Sequence, residues 1–307
     1  MITPQFAADG GSGLLYVDKP AGLTSHDVVA RVRRAARTSR VGHAGTLDPF
    51  ATGLLVVAVG GTTRLLRYIA AEPKVYEASF RFGSETDTDD RTGTVIREAA
   101  LPHESVLLNP LSDSRLKAES DLTGLIQQRP PQYSAKLVAG RRAYSEARKG
   151  REVDLTPVTV MVHKWEWLSA SNDTLEVRIT CAGGTYIRAL ARDMGRALDT
   201  AAHCRELRRV SSGPAQVADA VSMEHLTPGA IADGRVALRS ALELLEPIPR
   251  QELSIDDADA LRFGRAIPSR VPGNQAVLVF EGEVAAVAVR TDDNRWQPRV
   301  MLLGAST

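Results

Sequence analysis

Residues 41–53, VGHAGTLDPFATG, show no hydrophobic period and hold three glycines, and they run without a break into the apolar stretch Leu54–Val59. A short apolar run fed by a glycine-rich segment reads as a fully buried strand entered through a loop. A fold containing it needs a sheet in its core, and the loop carries a carboxylate, Asp48, to the start of that strand. Gly42 and Gly45 permit backbone conformations that other residues avoid, and Pro49 pushes Asp48 toward extended backbone. Loops held by rigid elements are where chemistry is usually placed. Asp-Pro is equally a common turn former, so the loop by itself does not decide between a turn and a catalytic group.

The rest of the chain alternates strand and helix patterns. Leu14–Val17 is a short apolar strand broken by Asp18-Lys19-Pro20-Ala21-Gly22. Thr24 and Asp27 are spaced as a capping box, and Val28, Val29, Val32, Ala35 and Ala36 follow the 3.6 period of a helix whose other face is arginine. Tyr76, Ala78, Phe80 and Phe82 alternate with Glu77, Ser79 and Arg81, a half-buried strand, with a polar turn expected from Ser84 to Gly93. Residues 101–128 read as partly helical. Val158–Trp167 and Leu175–Cys181 are strands, and Ile187, Leu190, Ala191, Met194 and Leu198 mark a helix. A further helix is expected over 236–246, ending before Pro247. Ala276–Phe280 and Val284–Val289 flank Glu281-Gly282-Glu283, a hairpin signal. The mixture predicts an α+β fold around a central mixed or antiparallel sheet. Pro247 and Pro249 place a boundary, giving a domain over 1–248 and a small β-rich domain over 249–307.

Charge narrows the function. The net charge is only +1, but its distribution is uneven. Arg31, Arg33, Arg34, Arg37 and Arg40 form one basic run, and Arg129 to Arg151 holds seven basic residues and one acid, Glu146. Glu85, Asp87, Asp89 and Asp90 cluster tightly, and Glu243 to Asp259 is acidic. A near-neutral protein with segregated basic segments can present a basic face to RNA. No apolar run approaches the roughly 20 residues of a membrane helix, and no secretory signal pattern is visible. Two cysteines, Cys181 and Cys204, fit a reducing cytoplasm. The six histidines lack ligand spacing, so no metal is expected. Walker and dinucleotide motifs are missing, so no cofactor is expected, and no Gly-x-Ser-x-Gly motif marks a serine hydrolase.

Gly42-His43-Ala44-Gly45-Thr46-Leu47-Asp48-Pro49-Phe50-Ala51-Thr52-Gly53 resembles the signature of the TruB family of pseudouridine synthases. Further segments agree in order: Gly13 through Ser25 with Lys19-Pro20, Lys74-Val75-Tyr76, and Gly184-Thr185-Tyr186-Ile187-Arg188. Pro130 to Lys136 and Gly140 to Tyr144 resemble the insert that grips RNA, and Ala202-His203 through Arg209 completes the set. The resemblance spans about residues 13 to 215 and is thin from 95 to 120.

The resemblance implies the pseudouridine synthase fold, with an RNA-gripping insert at about 129–151 and a PUA-like C-terminal module. It implies isomerisation of a uridine in the T loop of tRNA, position 55, after the base is flipped out. That reaction exchanges a C1′–N1 bond for a C1′–C5 bond, is redox-neutral and needs no cofactor. Asp48 is the implied nucleophile, since a carboxylate can hold one fragment covalently. Arg188 is its implied ion-pair partner, a cation that would otherwise face the wrong end of its helix dipole. Tyr76 is the implied platform for the base, with Tyr186 and Leu207 as further walls. The resemblance also implies that His43 packs where the base had stacked and that Lys19 belongs to a segment bracing the loop beside the substrate. Lys136, Arg141, Arg142 and Arg148, interleaved with Tyr133 and Tyr144, suit phosphate contact with stacking, and the insert is expected to order on RNA. The expected partner is the T arm of tRNA, with no membrane, no obligate protein partner, and a cytoplasmic monomer. Competing readings are a non-catalytic tRNA-binding or tRNA-folding protein, and a nucleoside enzyme that releases free base.

Overall fold

In the computed structural model, which describes residues 11–69, 71–133, 137–138, 141–142 and 155–303, the chain divides into two units. One comprises Met1–Pro49, Gly53–Ala71 and Ser212–Thr307, the other Phe50–Thr52 and Glu72–Ser211.

The first unit is built on β1 (Gly13–Lys19) and β3 (Thr52–Val59), antiparallel in register from Gly13 opposite Val59 to Lys19 opposite Gly53. β2 (Val41–Ala44) lies along the other edge of β3, and β14 (Val221–Ser222) adds to β1 in parallel, so the sheet is mixed. The segment read as loop over 41–53 is therefore strand for its first four residues. Its glycines break the alternation that would have announced it. At Gly42 the side chain of Leu66 packs close over the backbone, so that a Cβ there would come 2.8 Å from Leu66 Cδ1 and the leucine would have to shift. Helix α1 (Ser25–Ala36) forms as the sequence predicts, with the capping box of Thr24 and Asp27 in place and Val28, Val29, Val32, Ala35 and Ala36 buried. Burying each valine contributes on the order of 1.5–3 kcal/mol. The arginine face stays outside, with Arg37 paired to Asp233 at 2.9 Å.

No helix forms over 236–246, where only a 3-10 turn at Leu242–Leu245 appears. Arg239 instead exchanges two backbone hydrogen bonds with Leu14, each 2.8 Å. Gly13 permits that approach, since a Cβ would stand 2.7 Å from the Arg239 carbonyl. After β13 (Ala215–Gln216), β14 and this crossing, the chain enters a five-stranded sheet: β15 (Arg250–Glu252), β17 (Gln275–Phe280), β18 (Glu283–Arg290), β19 (Arg295–Met301) and β16 (Ile267–Pro268), in that spatial order. The β17–β18 hairpin turns on Glu281 and Gly282, both at positive φ, as a two-residue hairpin requires. The last helix, α5 (Ile255–Arg262), carries its own capping box from Ser254 and Asp257. Leu14, Tyr16, Leu54 and Val56 share one buried cluster with Leu244, Val277, Val287 and Val300, so the two sheets of this unit close on a common core.

The second unit is a sheet in the order β12 (Ala202–Ser212), β4 (Lys74–Phe82), β11 (Thr174–Cys181), β10 (Val158–Ala170), β7 (Gly124–Gln128). β4, β11, β10 and β7 run antiparallel, with Tyr76 opposite Ile179. Tyr76, Ala78, Phe80 and Phe82 are buried as their alternation predicts. Two short helices, α2 (Glu104–Leu108) and α3 (Asp113–Asp121), precede β7, and α4 (Ile187–Ala197) follows β11. β8 (Leu137–Val138) pairs with β9 (Arg141–Arg142). The segment from Ser84 to Gly93 departs from expectation. It is not a solvated polar turn: β5 (Ser84–Thr86) pairs with β6 (Val95–Glu98), and Glu85, Asp89 and Asp90 are all buried. Their charges are met by arginines of α4 and by Arg97.

Candidate active site

Asp48 stands half-buried between two residues whose backbones are clamped from the N-terminal segment. On one side the buried Ser25 hydroxyl accepts from the Leu47 N–H at 2.9 Å and donates to the Leu47 carbonyl at 3.2 Å. On the other side the Pro49 carbonyl accepts from the Gly22 N–H at 2.8 Å and from Lys19 Nζ at 3.4 Å. The Lys19 ammonium, wholly buried, also donates to the carbonyls of Pro20 and Leu23 at 2.9 and 2.8 Å. Lys19 therefore braces the loop through backbone carbonyls. Gly45 at φ 85° and Gly53 at φ 100° give the two bends that lead into and out of the Asp48 segment. His43, on β2, meets His26 of α1 edge-on with ring centroids 5.9 Å apart.

Tyr76, Tyr186, Arg188 and Leu207 belong to the second unit. Tyr76 and Leu207 are each 7% exposed. Leu207 lines a cavity of about 350 Å³ together with Phe50, Thr52, Glu77 and Arg208. Tyr186 caps the start of α4, and its backbone is gripped twice by one side chain. Gln128, fully buried on β7, accepts from the Tyr186 N–H at 2.8 Å and donates to its carbonyl at 3.1 Å. Sequence reading passed over Gln128, because nothing near position 128 signals a partner 58 residues away.

Arg188 is 3% exposed and extends from the first turn of α4. Its guanidinium donates to the Thr88 carbonyl at 2.7 Å and the Tyr133 carbonyl at 3.1 Å, and lies 3.6 Å from Asp90 Oδ2. The other oxygen of Asp90 accepts from Thr88 Oγ1, Thr92 Oγ1 and the Thr92 N–H at 2.6–2.9 Å. Asp90 is thus a fixed carboxylate beside Arg188, and it too was missed. Its signal lay in the acidic cluster read above as part of a polar turn.

Of the expected RNA contacts, Arg141 and Arg142 fall on β9, while Lys136 and Arg148 lie outside the described residues. Among the described residues no group of three or more His, Cys, Asp or Glu side chains could hold a metal ion. No described helix is long and apolar enough to cross a membrane.

Comparison with known proteins identifies the family. Residues 33–187 match the model of the TruB family pseudouridylate synthase N-terminal domain, and 188–248 match the tRNA pseudouridylate synthase B C-terminal domain. The tRNA pseudouridine synthase B of Thermobifida fusca is 41% identical over 303 residues, covering 95% of this chain and 99% of the relative. That of Mycobacterium tuberculosis H37Rv is 38% identical over 303 residues, covering 96% and 97%. Among solved structures, a Cbf5–Nop10–Gar1 complex superposes with a TM-score of 0.66 at 23% identity, covering 91% of this chain and 78% of that one. An H/ACA ribonucleoprotein bound to a substrate RNA containing 2′-deoxyuridine gives 0.66 at 20% identity, covering 94% and 84%. These likenesses fix the fold as that of the pseudouridine synthases, and the family matches, which together run from 33 to 248, show that the chain belongs to the TruB family of pseudouridine synthases.

Proposed function

We propose that this protein isomerises the uridine at position 55, in the T loop of tRNA, to pseudouridine, with Asp48 as the nucleophile. The observation that carries the reading is the double clamp on the Asp48 loop. Buried Ser25 fixes residue 47 and buried Lys19 with Gly22 fixes residue 49, so the carboxylate between them is presented with little freedom. Reactions in which one group must hold a fragment while it turns over depend on such preorganisation. The chemistry balances without a cofactor. The C1′–N1 bond breaks and a C1′–C5 bond forms, C5 gives up its proton, and N1 takes one.

The family signature assigns Arg188 to the same reaction as the cation that partners the nucleophile. Its hold on Thr88, Tyr133 and Asp90 gives it a fixed orientation. Tyr76 supplies the stacking face, and Tyr186, positioned by Gln128, with Leu207 supplies the walls. Stacking of this kind recovers about 1–3 kcal/mol per base, against a flipping cost of a few kcal/mol. His43 takes the space the base leaves, and Lys136, Arg141, Arg142 and Arg148 of the insert contact the RNA backbone. Residues 249–307 serve as a PUA-like module of the synthase domain over 1–248. The enzyme works in the cytoplasm as a monomer with no obligate protein partner.

The test is tritium release from tRNA transcripts labelled at uridine C5, with wild type and Asp48→Asn measured side by side. Release by wild type alone, without free uracil and with tRNA affinity retained in the variant, is the expected outcome. Tight binding without release by either protein would replace this reading with that of a tRNA-binding or tRNA-folding protein. Free uracil would replace it with that of a glycosidase.

A further inference from the structure

Helix α4 carries arginines at 188, 192 and 196, one every four residues, on a single face. The same buried turn meets all three: Asp90 faces Arg188, Asp89 faces Arg192 and Glu85 faces Arg196. The middle rung has a second attachment. Arg192 Nη1 donates to Asp89 Oδ2 at 2.7 Å, while its Nη2 donates to the backbone carbonyl of Arg129 at 2.9 Å and its Nε to Asp193 at 2.9 Å. Arg129 begins the basic segment that leads into the insert, and Arg188 holds the Tyr133 carbonyl four residues on. Asp89 is tied through its backbone as well: its φ is 58°, and its own carbonyl accepts from the Cys204 N–H at 3.0 Å.

We propose that the Asp89–Arg192 pair is a positioning device for tRNA capture, fixing the root of the basic insert, Arg129–Tyr133, against α4 so that the insert meets RNA from a defined origin. The proposal rests on the tRNA pseudouridine synthase reading. Stability alone does not account for the pair. Both side chains are over nine-tenths buried, and desolvating two charges commonly offsets their attraction. Burial pushes the Asp89 carboxyl up to about 6, although Arg192 and Arg188 pull the other way. A carboxyl raised in the folded state takes up a proton on folding, so its ionised form lowers stability as pH rises toward neutrality. A guanidinium is required rather than any cation, because its planar fork reaches a carboxylate and a carbonyl at once.

The test is steady-state kinetics on a tRNA transcript with the double variant Asp89→Asn/Arg192→Met, which leaves neither charge buried alone, and with Arg192→Lys. The double variant is expected to raise KM about tenfold with kcat within about twofold, the scale of one lost charge-assisted hydrogen bond, and to melt no lower than wild type. Arg192→Lys, which keeps a charge for Asp89 but cannot also hold the Arg129 carbonyl, is expected to raise KM as well. An unchanged KM, a loss confined to kcat, or a KM rise accompanied by a fall in Tm would overturn the proposal. Should wild type release no tritium, the isomerase reading falls. The variants are then judged by filter binding of tRNA, where a Kd about tenfold weaker supports the device and an unchanged Kd overturns it.

Discussion

A lysine ammonium out of contact with water is expensive unless its donors are all used. Lys19 uses them on the carbonyls of Pro20, Leu23 and Pro49, which turns a charge into a three-way tie across the segment facing Asp48. Lys19→Met keeps the length of the stem and deletes the tie. It is expected to cost roughly 2–4 kcal/mol, because carbonyls are left short of donors, and to lower the rate of isomerisation more than the affinity for tRNA. Thermal unfolding and single-turnover kinetics on the same preparations check this, and a stability change below about 1 kcal/mol would show that the tie is dispensable. At this scale Asp48 and Lys19 were singled out by the resemblance to the family signature and not by their neighbours, since a glycine-rich loop ending in Asp-Pro reads equally as a turn. Gln128 and Asp90 had no such marks, since their partners Tyr186 and Arg188 lie far along the chain.

Helix α1 was readable because both its cap and its period are local. The turn from Ser84 to Gly93 was misread because a run of acids is usually solvated, and only the packing of α4 against it reveals three buried carboxylates. The missing helix over 236–246 failed for a related reason. Its apolar spacing permits a helix, but backbone hydrogen bonds between Arg239 and Leu14 give the segment a tertiary alternative. Within the turn, Glu85 offers a test with a definite sign. Burial alone would raise its pKa, yet hydrogen bonds from Arg196 and Arg97 outweigh burial and hold it below the usual carboxylate range. A depressed carboxyl contributes stability that is present above its unfolded pKa, about 4.3, and is lost as pH falls through the folded value. Glu85→Gln is therefore expected to lower stability at pH 7 by on the order of 1–2 kcal/mol, discounted because both arginines are partly exposed. Melting curves of variant and wild type should converge as pH falls through the folded value. A difference that stays constant across that range would mean that packing, and not the carboxylate, is what the variant lost.

The hairpin at Glu281-Gly282 and the prolines at 247 and 249 were visible in the sequence, but the relation between the C-terminal strands and the first strands was not, because a shared core leaves no mark on either segment alone. Val277, Val279, Val284, Val287 and Val300 close on the same cluster as Leu14, Tyr16, Leu54 and Val56. The C-terminal sheet is thus part of what buries the strands that carry the Lys19 brace and the Asp48 loop, whatever else it does. A substitution there should be felt by the whole unit. Val287→Ala, at a fully buried position on β18, removes two methyl groups and is expected to cost about 1–3 kcal/mol. It should do so in a single transition, lowering together the melting seen by tryptophan fluorescence at Trp296 and the protection of β1 and β3 amides in hydrogen exchange. If the C-terminal strands melted first while β1 and β3 kept full protection, the two sheets would be independent units and the common core would not hold them together.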